Sequence, residues 1–271
     1  MHGLYGYREV IETLQWGLTA LGHPTSVAEN ELASGVTNIV IGFQMLSEAM
    51  LDDLPPDTIV YNFEQMAGLT TDALKPIYRA AARRLKVWEY SEQNLPAWAT
   101  LDPIHPVVHV PVAWAPILAR IHEPAEQDID VLFYGLPGKL RLAIFRQLAE
   151  ASARCVFACG LYGAGRDALI ARSKLVLNIN LYASSRIFEI VRVSYLLANA
   201  KTVVADLQPD TFVEPDLRDA VAFEPPEGVA GRCLMLLEND AVRKELGKRG
   251  EEIMRKRDIR GILLHALEQD G

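Results

Sequence analysis

The sequence predicts an α/β fold built on two mostly parallel, two-sided sheets, and three observations carry that prediction. Short apolar runs alternate with helical stretches along nearly the whole chain, the pattern of strands whose crossovers are helices. The alternation breaks once, over 111–127, where three prolines and the polar run His122–Gln127 interrupt every periodicity, and then it restarts. A chain of 271 residues, 50% hydrophobic and 23% charged, is long and apolar enough for two ordinary domain cores. The expected division is an N-terminal domain over 1–115 and a C-terminal domain over 116–271.

In chain order, Tyr7–Leu21 places Val10, Ile11, Leu14, Leu18 and Leu21 at helical spacing, and Gly22 stops the helix. Strands are expected at Asn38–Phe43, Thr58–Phe63, Lys86–Tyr90 and Val107–Val112. Between the second and third, Thr71–Leu85 reads as a helix with Asp72 near its start and Arg79, Arg83 and Arg84 toward its end, as the macrodipole prefers. Only six residues precede the first helix, too few for a strand and its turn, so the N-terminal sheet is expected to lack its usual first strand or the chain to be truncated there. After the linker come strand Val131–Gly135, helix Leu140–Ala151, strand Arg154–Cys159, helix Arg166–Arg172, strand Lys174–Ile179, helix Ile187–Asn199, strand Lys201–Asp206 and a short strand Ala220–Pro225. The tail from Gly228 to Gln269 is helical.

Charge and cysteine content exclude several classes. A net charge of -8 argues against a protein whose main task is to coat nucleic acid or an anionic membrane. Three cysteines are odd in number and too few for a disulfide framework, which suggests a reducing, cytoplasmic setting. Cys155 and Cys159 share one face of their strand and read as small buried apolar residues. No basic segment followed by an apolar run marks a secretory signal, and no window approaches the roughly 20 apolar residues of a membrane span. The histidines are scattered and support no metal site; His109 reads as a packed strand residue and His105 lies in the Pro-rich lead-in. Nor does spacing assemble a Ser-His-Asp group.

In an open parallel sheet, the carboxyl ends of strands and the amino ends of the following helices face one crevice, where ligands bind. At such a position Gly135-Leu136-Pro137-Gly138 lets backbone approach a ligand, with Lys139 and Arg141 close behind for an anion. That loop is not a Walker loop, and Gly160–Gly165, which contains Gly163 and leads to Arg166, lacks the dinucleotide glycine spacing; for each the alternative is a plain turn. The stronger signal runs from Asn178 to Arg192. Asn178 and Asn180 alternate at a strand end, Ser184 and Ser185 can cap the next helix, and Glu189 and Arg192 lie one turn apart on it. A carboxylate there can accept ribose hydroxyls while arginines hold phosphate, or the two can simply pair with each other. In the N-terminal half, Asn62, Glu64 and Gln65 close an apolar strand. Glu64 is the candidate general base or acceptor contact, with a loop-capping role as the alternative, and Asn62 and Gln65 are candidate acceptor contacts.

The segments DIDVLFYG, the helix from Arg141, LYGAGRDALIARSKLVLNIN and FEIVRVSYLLANAKTVVAD resemble the C-terminal domain of GT-B-type glycosyltransferases, particularly the CgeB-like proteins of bacteria. TIVYNFEQM and VHVPVAW resemble the N-terminal domain of the same group. The resemblance implies two Rossmann-like domains, a nucleotide-sugar donor held by the C-terminal one and an unknown acceptor by the N-terminal one. It also implies sugar transfer without metal or cofactor, because helix N-termini and basic side chains stabilise the departing diphosphate. On that basis Gly135 and Gly138 line the phosphate side, Lys139, Arg141 and Arg166 are phosphate partners, and Glu189 approaches the ribose or sugar. Many relatives carry a second glutamate with seven residues between the two; here the corresponding positions are Leu197 and Leu181. That departure keeps two other readings open: a non-catalytic binding or scaffold protein partnering another enzyme, and a nucleotide-sugar epimerase. A homo-oligomer is a further expectation.

Overall fold

A computed structural model describes residues 3–69, 74–182 and 184–270. Two short helices, α1 (Gly3–Gly6) and α2 (Arg8–Ala20), precede the first sheet. That sheet follows as β1 (Ile39–Ile41), α3 (Glu48–Asp52), β2 (Ile59–Asn62), α4 (Pro76–Ala82), β3 (Lys86–Glu89), α5 (Leu95–Ala99) and β4 (Val107–His109). The second is built from β5 (Ile129–Tyr134), α6 (Lys139–Glu150), β6 (Cys155–Ala158), α7 (Gly163–Arg172), β7 (Ser173–Asn178), α8 (Ile190–Ala198), β8 (Thr202–Asp206) and β9 (Ala222–Glu224). Helices α9 (Val229–Glu238), α10 (Asp240–Arg255) and α11 (Ile259–Asp270) close the chain. No helix among the described residues is long and apolar enough to cross a membrane.

All strand pairs are parallel, in the orders β1-β2-β3-β4 and β6-β5-β7-β8-β9. The first sheet grows in one direction only, from β1, so its strand order never reverses; α2 comes before its first strand rather than after one. The second reverses once, because β6 lies on one side of β5 and β7 on the other. That switch point opens a crevice at the carboxyl ends of β5 and β7.

Period-two alternation sends each strand's side chains to two layers. Val60 and Val87 face an outer layer with Phe43, Leu51 and Trp98, while Val131, Phe133, Leu175 and Val204 face another with Ile144 and Cys233. Their neighbours Ile59, Tyr61, Trp88, Leu132, Val176 and Val203 belong to one apolar cluster shared by both sheets and by α2, α8 and α11.

Several local expectations shift for identifiable reasons. The helix expected from Thr71 begins at Pro76, because Lys75 takes the extended conformation (φ -61°, ψ 144°) that a following proline imposes; Thr71 and Asp72 lie outside the described residues. Helix α8 begins at Ile190 rather than Ile187, since Ile187 bridges to Phe212 and Phe188 N–H donates to Phe212 O, holding 187–188 extended. Ser184 and Ser185 therefore do not cap α8; Glu189 occupies the N-cap without a side-chain cap bond. Cys155 is half-buried and Cys159 exposed, not buried as expected, because β6 is an edge strand. The 111–127 stretch is strapped down at both ends. Trp114 N–H donates to Arg257 O, Ile259 N–H donates to Trp114 O, and Asn199 Oδ1 accepts the N–H groups of Arg120 and Ile121.

Candidate functional site

The crevice at the switch point is formed by the turn after β5, the segment after β7 and the start of α8. Gly135 has φ 142°, a backbone region that disfavours side chains, and a Cβ there would stand 3.5 Å from Arg192 Nη2 and 3.6 Å from Nη1. It is the φ that calls for glycine, since a Cβ would make only ordinary van der Waals contact with that guanidinium, which also sits 5.7 Å from the centre of the Tyr134 ring. Arg141 is buried and fixes the two loops: its Nε donates to Ile179 O and its Nη1 to Leu136 O, both at 2.8 Å. Gly138 faces the side chain of Leu181, 3.1 Å from where its Cβ would be. Lys139 opens α6 and is exposed, as is Ser184, whereas Ser185 is half-buried with its N–H donating to Tyr182 O.

Four buried polar atoms here lack a hydrogen-bond partner among the described residues: Asn178 Oδ1, Asn180 Oδ1, Glu189 Oε2 and Arg192 Nη1. Glu189 and Arg192 do pair, Oε2 lying 3.2 Å from Nη2, but not in hydrogen-bonding alignment. Buried polar groups are ordinarily satisfied, so a cluster of exceptions at a crevice mouth points to groups held for something else. Burial lowers the Arg141 pKa and the nearby Arg192 charge lowers it further, a repulsion that an anion between them would relieve. Asp206, at the end of β8, accepts the Asn180 N–H at 2.7 Å, and burial raises its pKa.

Across the cleft, the segment after β2 carries Glu64 and Gln65. Glu64 Oε1 accepts from Tyr7 Oη (3.2 Å) and Gln44 Nε2 (3.0 Å). Beneath it, Glu89 is fully buried at the end of β3 and accepts from Asn62 Nδ2, Asn94 Nδ2, Trp98 Nε1 and the Ser91 N–H. Desolvation dominates those bonds and pushes Glu89 up to about 7. The two asparagine amides hold the Glu64 backbone: its N–H donates to Asn62 Oδ1, and its carbonyl accepts from Asn62 and Asn94. Asn62 is thus committed to this scaffold. Gln65 spans the cleft, with Oε1 accepting from the Arg186 and Ile187 N–H groups and Nε2 donating to Ile187 O at 2.8 Å. Tyr90, just past β3, is buried, and its phenol pKa is raised by burial and then by the charges of Glu89, Glu64 and Glu189, so it lies within range of carboxylates from both sides.

Arg166 lies 5.9 Å from the centre of the same Tyr134 ring as Arg192, but its donors are committed to carboxylates of the protein. It is buried, donates to Glu9 Oε1 at 2.5 Å and to Asp167 at 3.0 Å, and lies 4.8 Å from the centre of the Tyr195 ring. Its neighbour Gly163 has φ 59° and faces Arg8. The structure therefore brings together Gly135, Gly138, Arg141, Asn178, Asn180, Glu189 and Arg192 on one side and Asn62, Glu64 and Gln65 on the other. Sequence reasoning missed Tyr7, Gln44, Glu89, Tyr90 and Asp206. A glutamate inside the apolar run KVWEY was the available signal for Glu89, since a lone charge in a buried strand needs partners.

No protein-family model matches the sequence. Protein L140 of Acanthamoeba polyphaga mimivirus, described as uncharacterized, is 23% identical over 219 residues, 79% of this chain and 69% of its own. Among solved structures, TarM superposes with a TM-score of 0.59 at 16% identity over 87% of this chain, which spans about half (54%) of TarM. Anabaena HepE in complex with UDP and glucose gives 0.59 at 12% identity, covering 93% of this chain and 87% of HepE. A Rickettsia africae glycosyltransferase gives 0.59 at 12% identity, covering 99% and 94%. At these identities the likeness establishes the fold: two parallel α/β sheets arranged as in GT-B glycosyltransferases.

Proposed function

We propose that the protein is a glycosyltransferase: residues 116–271 hold a nucleoside-diphosphate sugar, residues 1–115 present an acceptor, and transfer takes place in the cleft between the sheets. The observation that carries this reading is the set of unpartnered buried atoms at the β5/β7 switch point. Arg192 Nη1 offers a donor to phosphate beside the close-approaching Gly135 turn, and Glu189 Oε2 offers an acceptor to ribose or sugar hydroxyls. Asn178 and Asn180 face the same ligand, Lys139 and the α6 N-terminus lie on its phosphate side, and the fold shared with HepE, whose structure holds UDP and glucose, supports the donor class.

In the reaction, the acceptor hydroxyl oxygen bonds to the anomeric carbon while the bond from that carbon to the diphosphate breaks, its electron pair leaving with the diphosphate. Glu64 receives the hydroxyl proton, with Oε1 oriented by Tyr7 and Gln44 and Oε2 free of hydrogen bonds among the described residues. The Arg141–Arg192 pair stabilises the leaving charge without a metal, so EDTA should leave turnover unchanged.

Calorimetric titration with UDP-glucose and a panel of other nucleotide sugars tests the donor site. At least one should bind, and Glu189→Ala should abolish that binding; undiminished affinity in the variant would overturn the assignment. One observation favours a non-catalytic binding protein as second reading: Leu197 is fully buried in the core and Leu181 packs on Gly138, so neither offers a second carboxylate to the cleft. Donor hydrolysis by purified protein separates the two, since the binding protein gives none.

A further inference from the structure

A second ligand surface lies on the outer flank of the first sheet. Lys75, Arg79 and Arg83 are spaced four residues apart along α4 and its ends, so they form one stripe with about 6 Å between successive side chains. All three are exposed and line a surface groove of about 430 Å³, with Glu48 of α3 and Leu101 on its other walls. Arg83 has a loose partner, Asp102, at 3.7 Å, with both side chains mostly in solvent. Among the described residues, Lys75 and Arg79 have no ion-pair partner, and Glu48, the groove's one carboxylate, pairs with none of the three.

Like charges one turn apart on a helix repel. Asp102 and the α4 C-terminal dipole relieve this in part at Arg83 and Arg79, but no carboxylate among the described residues pairs with Lys75 or Arg79. The protein as a whole carries -8, so the stripe is not the by-product of a basic composition. A concave basic groove on an acidic protein is a place where an anion lowers the energy. The helix returns from the carboxyl end of β2 toward the amino end of β3, so Lys75 stands at the cleft-side rim and Arg83 at the far end.

We propose that this groove binds a compact oligoanion carrying phosphate groups about 6 Å apart, with Arg79 as the bidentate partner and Lys75 and Arg83 as flanking charges. The concavity suits a ligand that enters the groove, whereas a flat anionic membrane would meet only its rim; the three cations outnumber the single Glu48 carboxylate on the wall. The proposal is independent of the donor crevice, which lies on the other sheet.

The probe is inositol hexakisphosphate, titrated calorimetrically into the full chain at low salt. One saturable site is expected, weakening as salt rises because the contacts are ionic. The double variant Lys75→Glu/Arg79→Glu should weaken binding at least about tenfold with thermal unfolding unchanged, since both side chains are exposed; Lys244→Glu, on α10, should stay within about twofold. Absence of saturable binding, an equal loss in Lys244→Glu, or loss in Arg192→Ala would overturn the proposal, the last by moving the site to the donor crevice. It would also fall if phosphatidylserine vesicles bound in a Lys75- and Arg79-dependent way while inositol hexakisphosphate did not. Failure of every nucleotide sugar to bind, with the inositol hexakisphosphate result intact, would remove the glycosyltransferase reading and leave this site standing.

Discussion

Glu89 shows how one residue can set both stability and site geometry. Its carboxyl is buried with four donors around it, and its pKa is pushed up to about 7 from 4.5. A carboxyl whose folded value is raised contributes stability that is complete below pH 4.5 and is lost as pH rises through about 7. The gap corresponds to roughly 3 kcal/mol. Thermal unfolding followed from pH 4.5 to 8 should therefore show this component falling with pH, and Glu89→Gln should flatten it at a cost in absolute stability, because its amide nitrogen would face two of the four donors; an unchanged slope in the variant would assign the dependence elsewhere. Arg192 is the corresponding test on the donor side. Its removal deletes a charge-assisted contact worth about 1.5–3 kcal/mol, so Arg192→Ala should weaken nucleotide-sugar binding roughly 10- to 100-fold in a titration.

At the scale of elements, α10 illustrates packing that period and propensity alone do not reveal. A Cβ at Gly247 would stand 2.2 Å from the Ala200 carbonyl, and one at Gly250 2.8 Å from Leu197 Cδ2, so α10 lies against α8 and the turn after it at a distance only glycine permits. Gly247→Ala should destabilise the fold by about 1–3 kcal/mol in urea titration despite the better helix propensity of alanine, because the obstacle is backbone. Strand positions were legible in the sequence to within a residue or two, since buried parallel strands read as apolar runs bounded by turns; β4 is the exception, ending three residues before Val112. Helix starts were less so. Pro76, where α4 starts, lay inside the helix expected from Thr71, and the bridge between Ile187 and Phe212 that delays α8 joins residues far apart in the chain. The Asn178–Arg192 crevice was legible because strand ends and helix starts adjoin in sequence.

At the scale of the whole molecule, the shared apolar cluster makes the two sheets one folded body, and polar ties reinforce it. Glu9 of α2 meets Arg166 of α7 with both side chains 8% exposed, and Arg120 binds Glu12 at 2.6 Å and Tyr195 Oη at 3.0 Å. Removing one member of such a pair leaves a buried charge, so Glu9→Ala should cost about 3–5 kcal/mol in chemical denaturation. The sequence by itself determined the alternation of strands and helices, the break near 111–127 and the polar residues at strand ends, all properties of neighbours along the chain. Only the tertiary structure decided that Arg166 answers Glu9, that Gln65 bridges to the Ile187 backbone, and that Glu89 underlies Glu64. Those pairings depend on how α2, the two sheets and α8 cross one another. Local periodicity fixes which face of each element is apolar, but the partner of a buried charge is fixed by which surfaces meet.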